Sequence, residues 1–227
     1  MADKAIEAVV FDLDGVITDT AHFHFVAWKQ LAGQLGIVID EAFNEQLKGV
    51  SRMDSLELIL REGGQQHDYT EAEKERMADE KNTHYCQLLT QLTPDDILPG
   101  ISELIAAIKE EGIPIGLASV SKNAATVLQS LRLEGTFDYI ADAARIQRSK
   151  PDPEIFLTAC AGLGADPRRS IGIEDAAAGI LAIKASGMFA VGVGPSLSGA
   201  DYLVESTDQL HWNEIQASFS KHGCHQH

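Results

Sequence analysis

The chain has 227 residues, 44% of them apolar, which is enough for a folded protein with a substantial core. Its 34 acidic and 18 basic residues give a net charge of −16, and this charge disfavours binding to nucleic acid through a broad electrostatic surface. No stretch approaches the roughly 18 apolar residues of a transmembrane helix, and the first residues lack a signal-peptide pattern, so we expect a cytoplasmic protein with no membrane partner.

The first predicted element ends in two carboxylates. Residues 8–11 form an apolar run that predicts a buried strand, and Asp12 and Asp14 follow it directly. Residues two apart in an extended chain point to the same side, and the carboxyl ends of parallel strands form the ligand-binding edge of an open α/β sheet. Two adjacent acids repel each other unless a cation lies between them. The pair therefore predicts an oxygen-lined Mg²⁺ site in which one aspartate is free to act as a nucleophile.

Further along the chain, a helical stretch is followed by alternating helices and strands. Helices are predicted at 20–35, 40–47, 52–62, 70–92, 101–111, 122–132, 153–163 and 176–186, and later strands at 113–118, 138–142, 169–173, 189–193 and 202–204. Such alternation implies a parallel sheet covered on both faces. We expect an α/β fold with a doubly wound, Rossmann-like core at 1–17 and 93–227. A helical cap domain at 18–92 is then inserted above the carboxyl edge of the sheet.

Three later strand ends also carry polar residues. Residues 119–123 open a helix with hydroxyl and amide groups that suit an anion, although Ser121 taken alone fits an ordinary N-cap. Lys150 precedes a helix that begins with prolines, and by itself it fits a surface lysine. Glu174 and Asp175 follow another strand, where adjacent acids suit a hard cation, although Asp175 also fits an N-cap. A doubly wound sheet would gather these strand ends into one crevice.

The order Asp-x-Asp, Ser, Lys and Glu-Asp at successive strand ends resembles the haloacid dehalogenase superfamily. The resemblance implies an HAD-like core in which Asp12 is the nucleophile that becomes an aspartyl phosphate and Asp14 is the general acid and base. Ser119 and Lys150 would bind the oxygens of the transferring phosphoryl group. The implied Mg²⁺ ligands are Asp12, the backbone carbonyl of Asp14, Glu174 and Asp175.

The predicted cap carries three further patterns. Thr20, His24 and Trp28 recur every four residues along one helix face, which also suits an ordinary packed stripe. Residues 48–55 form a glycine-containing loop that enters a helix, where Arg52 and Ser55 would bind a second phosphate. The ordinary interpretation is that Ser51 is simply the N-cap of that helix. Lys81 ends a charge-rich stretch for which a solvated helix face is the default interpretation.

Together with residues 118–123, these cap patterns resemble the β-phosphoglucomutases, a family of the same superfamily. The resemblance implies that β-D-glucose 1-phosphate and D-glucose 6-phosphate are interconverted through β-glucose 1,6-bisphosphate. Thr20 and His24 would couple cap closure to the placement of Asp14. The implied substrate-binding residues are Trp28, Gly49, Val50, Ser51, Arg52, Ser55, Lys81, Ser119, Val120, Ser121, Lys122, Asn123 and Lys150.

Other interpretations remain open. A capped sugar phosphate phosphatase would use the same nucleophile with water as acceptor, whereas a signalling receiver domain would need neither a cap nor the second carboxylate, Asp14. A purely structural or binding module would not account for polar residues at four strand ends. We expect a monomer that binds small sugar phosphates. Cys86, Cys160 and Cys224 are expected to be reduced thiols. The histidines of 222–227 could scavenge metal in vitro, but a frayed polar terminus is the favoured interpretation.

Overall fold

A parallel sheet forms the centre of the protein in a computed structural model that describes residues 5–195 and 197–224. Its strands are β1 (Ala8–Phe11), β2 (Ile115–Leu117), β3 (Tyr139–Ile140), β4 (Ser170–Glu174), β5 (Phe189–Val193) and β6 (Tyr202–Val204). Their order across the sheet is β3-β2-β1-β4-β5-β6. The order therefore reverses beside β1, which pairs with both β2 and β4. Ligands bind at such a reversal, outside the carboxyl ends of the strands.

Helices cover both faces of the sheet. Alternation along β1 places Val9 and Phe11 in one core cluster and Val10 in another. Helices α5 (Ile101–Glu110), α6 (Ala124–Ser130) and α9 (Trp212–Cys224) contribute to the first cluster, and helices α7 (Glu154–Leu163) and α8 (Ala177–Ser186) contribute to the second. Because β1 and β5 are buried on both faces, they are apolar without interruption, as the sequence pattern indicates.

A helical insertion separates β1 from β2. It comprises α1 (Ala21–Gln34), α2 (Glu41–Asn44), α3 (Arg52–Glu62) and α4 (Glu71–Leu89). These helices share a separate apolar cluster that includes Trp28 and Leu56, but Tyr85 and Leu89 of α4 belong to the cluster under the sheet. The insertion therefore packs onto the core through α4. Ser51 caps α3, and Thr70 forms a reciprocal capping box at the start of α4.

The α/β fold with a doubly wound parallel sheet is confirmed, and one element was missed. No helix was predicted after residue 204, yet α9 packs its buried Trp212, Ile215 and Phe219 into the first core cluster. Their spacing of three and four residues was the available signal, but polar residues surround them. The division into a core at 1–17 and 93–227 and a cap at 18–92 stays a prediction.

Three minor expectations concern the cysteine thiols, the C-terminal histidines and membrane-spanning helices. Among the described residues, Cys86 and Cys160 are free thiols, as expected. The histidines at 225 and 227 lie outside the described residues. No helix within the described ranges is long and apolar enough to cross a membrane.

Replacing Leu104 by alanine should destabilise the fold strongly. Leu104 of α5 is buried under the sheet at 2% exposure, so Leu104→Ala should lower the free energy of unfolding by about 2–5 kcal/mol. Leu181 of α8 is 60% exposed, and Leu181→Ala should cost less than about 0.5 kcal/mol. Urea denaturation of both variants measures the difference. Equal losses would contradict this assignment of the core.

Candidate active site

A buried ion-pair network lies at the carboxyl ends of β1 and β4. The Lys150 ammonium donates to the Asp12 carboxylate at 2.6 Å and to the Glu174 carboxylate at 2.7 Å. Lys150 is only 2% exposed, so its interpretation as a surface lysine is wrong. Burial alone would lower the pKa of Lys150, but the two carboxylates outweigh burial and raise it. Lys150 therefore stays charged and fixes Asp12 in the crevice.

Asp175 completes a cluster of acids. Asp12, Glu174 and Asp175 each place a carboxylate oxygen within 4.8 Å of the others. Gly15, at a φ of +84°, permits this approach, because any side chain there would overlap the Asp175 carboxylate. Helix α8 has Ala176 at its N-cap, so Asp175 is not the cap that its position also suggested.

The acid cluster carries more negative charge than its lysines neutralise. Burial, with the Glu174 charge, raises the pKa of Asp12 to about 8 even though Lys150 opposes the shift. The same two causes raise the pKa of Asp175 well above its ordinary value, while Lys48, at 3.7 Å, opposes it. A donor set of carboxylate oxygens with this charge suits a hard divalent cation, which would remove the repulsion. The cluster is thus a candidate site for a divalent metal ion.

Asp14 lies beside the cluster and contacts the first residues of the insertion. Thr20 donates a short hydrogen bond to one Asp14 oxygen, and His24 Nε2 lies 3.9 Å from the other. Burial raises the pKa of Asp14 to about 6, against the opposing charges of Lys150 and Lys81. Asp14 can therefore take up and release a proton near neutral pH, as a general acid and base requires.

Lys81 joins α4 to α1 inside the site. Its ammonium lies 2.7 Å from His24 Nδ1 and about 4.7 Å and 4.8 Å from the ring centres of Trp28 and Tyr85. Lys81 is 3% exposed, so the interpretation as a solvated helix face is wrong. Burial and the Arg52 charge lower the pKa of Lys81 to about 7. Burial and both cations also lower the pKa of His24, so His24 is neutral.

Tyr85 was not predicted as a site residue. Its ring is fully buried and stacks on His24 at 3.9 Å between centroids. Burial and the Asp14 charge raise the pKa of its hydroxyl, and the side chains of Thr20 and Ser121 oppose that shift. Because Tyr85 follows Lys81 by one helical turn, i+4 spacing was the only sequence signal, and many core aromatics share it.

A second polar group lies where α3, α4 and α6 meet. Arg52 Nη2 and Asn123 Nδ2 each donate to the side-chain oxygen of Asn82 at 2.8 Å. Ser51 does cap α3, so the ordinary interpretation of that residue is correct. The N-cap of α6 is Asn123, not Ser121, although the Ser121 hydroxyl accepts from the Asn123 N–H at 3.3 Å. Asn82 was not assigned a role from the sequence.

A cavity of about 470 Å³ connects these groups. The predicted site residues that line it are Asp12, Asp14, His24, Trp28, Gly49, Val50, Ser51, Arg52, Ser55, Lys81, Val120, Ser121, Lys122, Asn123 and Asp175. Four others are buried at or near strand ends or at the start of α1, namely Thr20, Ser119, Lys150 and Glu174. Unpredicted lining residues include Lys48, Met53 and Asp79.

The comparisons with known proteins agree with this geometry. The sequence profile of the haloacid dehalogenase-like hydrolases matches residues 6–187. The chain is 51% identical over 207 residues to the β-phosphoglucomutase of Bacillus subtilis strain 168, covering 90% of this chain and 92% of that protein. A crystal structure of the Clostridium difficile β-phosphoglucomutase superposes with a TM-score of 0.95 at 50% identity, covering 96% of this chain and 99% of that one.

A more distant relative has a different name. The chain is 31% identical over 204 residues to the phosphorylated carbohydrates phosphatase of Thermotoga maritima, covering 88% of this chain and 91% of that protein. Both the higher sequence identity and the close structural superposition are with β-phosphoglucomutases. The chain therefore belongs to the haloacid dehalogenase-like hydrolase family and, within it, to the β-phosphoglucomutases.

Proposed function

We propose that this protein interconverts β-D-glucose 1-phosphate and D-glucose 6-phosphate, with Asp12 as the nucleophile. The observation that carries the proposal is that two sets of groups line the same cavity. One is the acid pair Asp12 and Asp14, and the other is the cationic and amide groups of Arg52, Lys122 and Asn123. A sugar bisphosphate has two phosphates, so its site must bind one phosphate beside the nucleophile and the other at groups that do not react. The cavity offers both binding sites, and the 51% identical relative is a β-phosphoglucomutase.

The proposed chemistry is phosphoryl transfer between a carboxylate and a sugar hydroxyl. An Asp12 oxygen bonds to phosphorus while the bond from phosphorus to the sugar oxygen breaks, and Asp14 donates a proton to that leaving oxygen. In the return step a sugar hydroxyl attacks the aspartyl phosphate, and Asp14 accepts its proton. Lys150 and Ser119 bind the transferring oxygens, so positioning and charge compensation carry most of the catalysis.

We also propose that the cation is Mg²⁺. The side chains of Asp12, Glu174 and Asp175 and the Asp14 backbone carbonyl would hold it, since Mg²⁺ selects oxygen ligands. When bound, it would neutralise charge between Asp12 and an incoming phosphoryl group.

The insertion is proposed to act as a cap that excludes water. The sugar bisphosphate must turn between its two half-reactions, while an aspartyl phosphate left open to water would hydrolyse. Thr20 and His24 reach Asp14 from α1 or its N-cap, so closure and placement of the proton donor are linked. A monomeric state, a cytoplasmic location and the absence of a nucleic-acid partner stay predictions.

A sugar phosphate phosphatase is the second candidate. The observation in its favour is the 31% identical carbohydrate phosphatase, and the same nucleophile would serve with water as acceptor. The two functions differ in which hydroxyl the cavity admits to the aspartyl phosphate, and that difference is measurable.

Phosphorus NMR with Mg²⁺, β-glucose 1-phosphate and a trace of β-glucose 1,6-bisphosphate tests the function. We expect glucose 6-phosphate without stoichiometric release of inorganic phosphate. Asp12→Ala should abolish turnover, because it removes the carboxylate that is proposed to form the phosphoenzyme. The α anomer, measured in parallel, should not react. Inorganic phosphate as the main product would favour the phosphatase, and no turnover of either anomer would reject the substrate.

Added Mg²⁺ should stabilise the protein more at pH 8 than at pH 5. The raised carboxyl pKa values mean that the folded protein binds protons more tightly than the unfolded chain, so stability falls as pH rises from about 4 to about 8. A cation relieves the repulsion of the ionised acids but competes with protons at low pH. Thermal unfolding at both pH values measures the effect. Asp175→Asn should reduce the rise in Tm that Mg²⁺ causes, whereas Asp95→Asn, an exposed control, should not. An equal rise in Tm at both pH values would reject the site.

Lys81→Ala should impair mutase turnover more than hydrolysis of the aspartyl phosphate. Lys81 faces the cavity from the insertion, where it would contact the sugar phosphate, and water needs no such contact. Losing a charge-assisted hydrogen bond corresponds to roughly a tenfold or greater loss in kcat/KM. Lys81→Met keeps the apolar packing against Trp28 and Tyr85, and Lys109→Ala is an exposed control. Equal losses in both activities would argue against a role for Lys81 at the substrate.

A further inference from the structure

A single serine hydroxyl joins the insertion to the core beside Lys150. The Ser149 hydroxyl donates to the Asp54 carboxylate at 2.8 Å and accepts from the Ser51 N–H at 3.2 Å. The Ser51 hydroxyl donates to the same Asp54 oxygen at 2.6 Å. Ser149, Ser51 and Asp54, which we call the latch, thus form a closed set of hydrogen bonds between segments almost 100 residues apart.

The latch adjoins both ends of the proposed site. Ser149 precedes Lys150, which holds Asp12 at 2.6 Å, and Ser51 precedes Arg52, which reaches Asn82 at 2.8 Å. The chain before Ser51 also lies on the core, because a side-chain carbon at Gly49 would approach the Lys150 side chain to 3.3 Å. The latch therefore joins the insertion to the core next to Lys150, the lysine that binds the proposed nucleophile Asp12.

Two residues of the latch lie outside the cavity. Neither Ser149 nor Asp54 lines the cavity, whereas other polar contacts between insertion and core, such as Thr20 with Asp14, Lys48 with Asp175 and Asn82 with Asn123, each involve a residue that does. Asp54 is exposed, so water replaces its hydrogen bond when the insertion lifts, and the net cost of opening is small. A contact of this kind can hold a closed state and still release in every turnover.

We propose that Ser149 and Asp54 are positioning residues whose hydrogen bond determines how the aspartyl phosphate is divided between the sugar hydroxyl and water. The inference rests on the proposed function. In both reactions the bond from phosphorus to Asp12 breaks, a bond to the incoming oxygen forms, and Asp14 takes the proton. Only access of water distinguishes them, so a weaker closed state favours release of inorganic phosphate.

The first experiment compares the ratio of inorganic phosphate to glucose 6-phosphate in Ser149→Ala and in the unmodified protein. We expect the ratio to rise about fivefold, because Ser149→Ala removes the partly exposed hydrogen bonds of the Ser149 hydroxyl with Asp54 and Ser51. Phosphorylation of Asp12 by acetyl phosphate, a donor too small to need closure, should change less than about twofold. Ser149→Thr keeps the hydroxyl and should restore the ratio, and Ser130→Ala, which removes a hydroxyl within α6, is the matched control.

A double variant separates the latch from a general structural effect. Asp54→Ala should also raise the ratio, and the double variant should raise it no further than Ser149→Ala alone, because that single change already removes both latch hydrogen bonds that link the insertion to the core. An unchanged ratio in Ser149→Ala, multiplied effects in the double variant, or a loss of phosphorylation by acetyl phosphate would each overturn the latch. If the unmodified protein forms no glucose 6-phosphate, the proposed function fails, and the latch then predicts faster phosphate release in Ser149→Ala.

Discussion

The ion pair of Lys150 with Asp12 and Glu174 is the interaction on which the site depends. A parallel sheet brings its strand ends together at one edge, and here that edge collects four carboxylates around one buried lysine. Burial in such surroundings penalises every uncompensated charge, which is why the pKa values of Asp12, Asp14 and Asp175 rise and why a divalent cation fits. The charges that make the site costly to fold are also those that phosphoryl transfer requires.

The insertion supplies what the sheet cannot. Thr20, His24 and Lys81 reach the acid edge from helices that have their own apolar cluster, so closing the site is a matter of packing two bodies through a few polar contacts. The described contacts between them include hydrogen bonds and ion pairs near the cavity and the apolar packing of Ala27, Tyr85 and Leu89. Polar contacts that water can replace are suited to repeated opening, because their net free energy is small.

Most of the architecture could be predicted from local patterns. The helices and strands from β1 to β6 follow apolar periodicity and breaker residues closely, and the strand ends carry the expected polar groups. Helix α9 was missed because its three buried residues are recognisable as a core face only when α5 and the sheet are there to cover them. Tyr85 and Asn82 were missed for a similar reason, since an aromatic or an amide on a helix has no distinctive spacing.

The sequence by itself determined the fold class and the acid pair that the proposed chemistry uses, because both depend on residues close together in the chain: an apolar strand followed by Asp12 and Asp14, and polar groups repeated at later strand ends. Only the tertiary structure decided which side chains share a charge environment. Lys81 and Lys150 look like surface lysines in the sequence, yet burial and the Arg52 charge lower the pKa of Lys81, whereas the carboxylates of Asp12 and Glu174 outweigh burial and raise that of Lys150. Electrostatic energy depends on distance and burial in three dimensions, and neither is written in the local pattern.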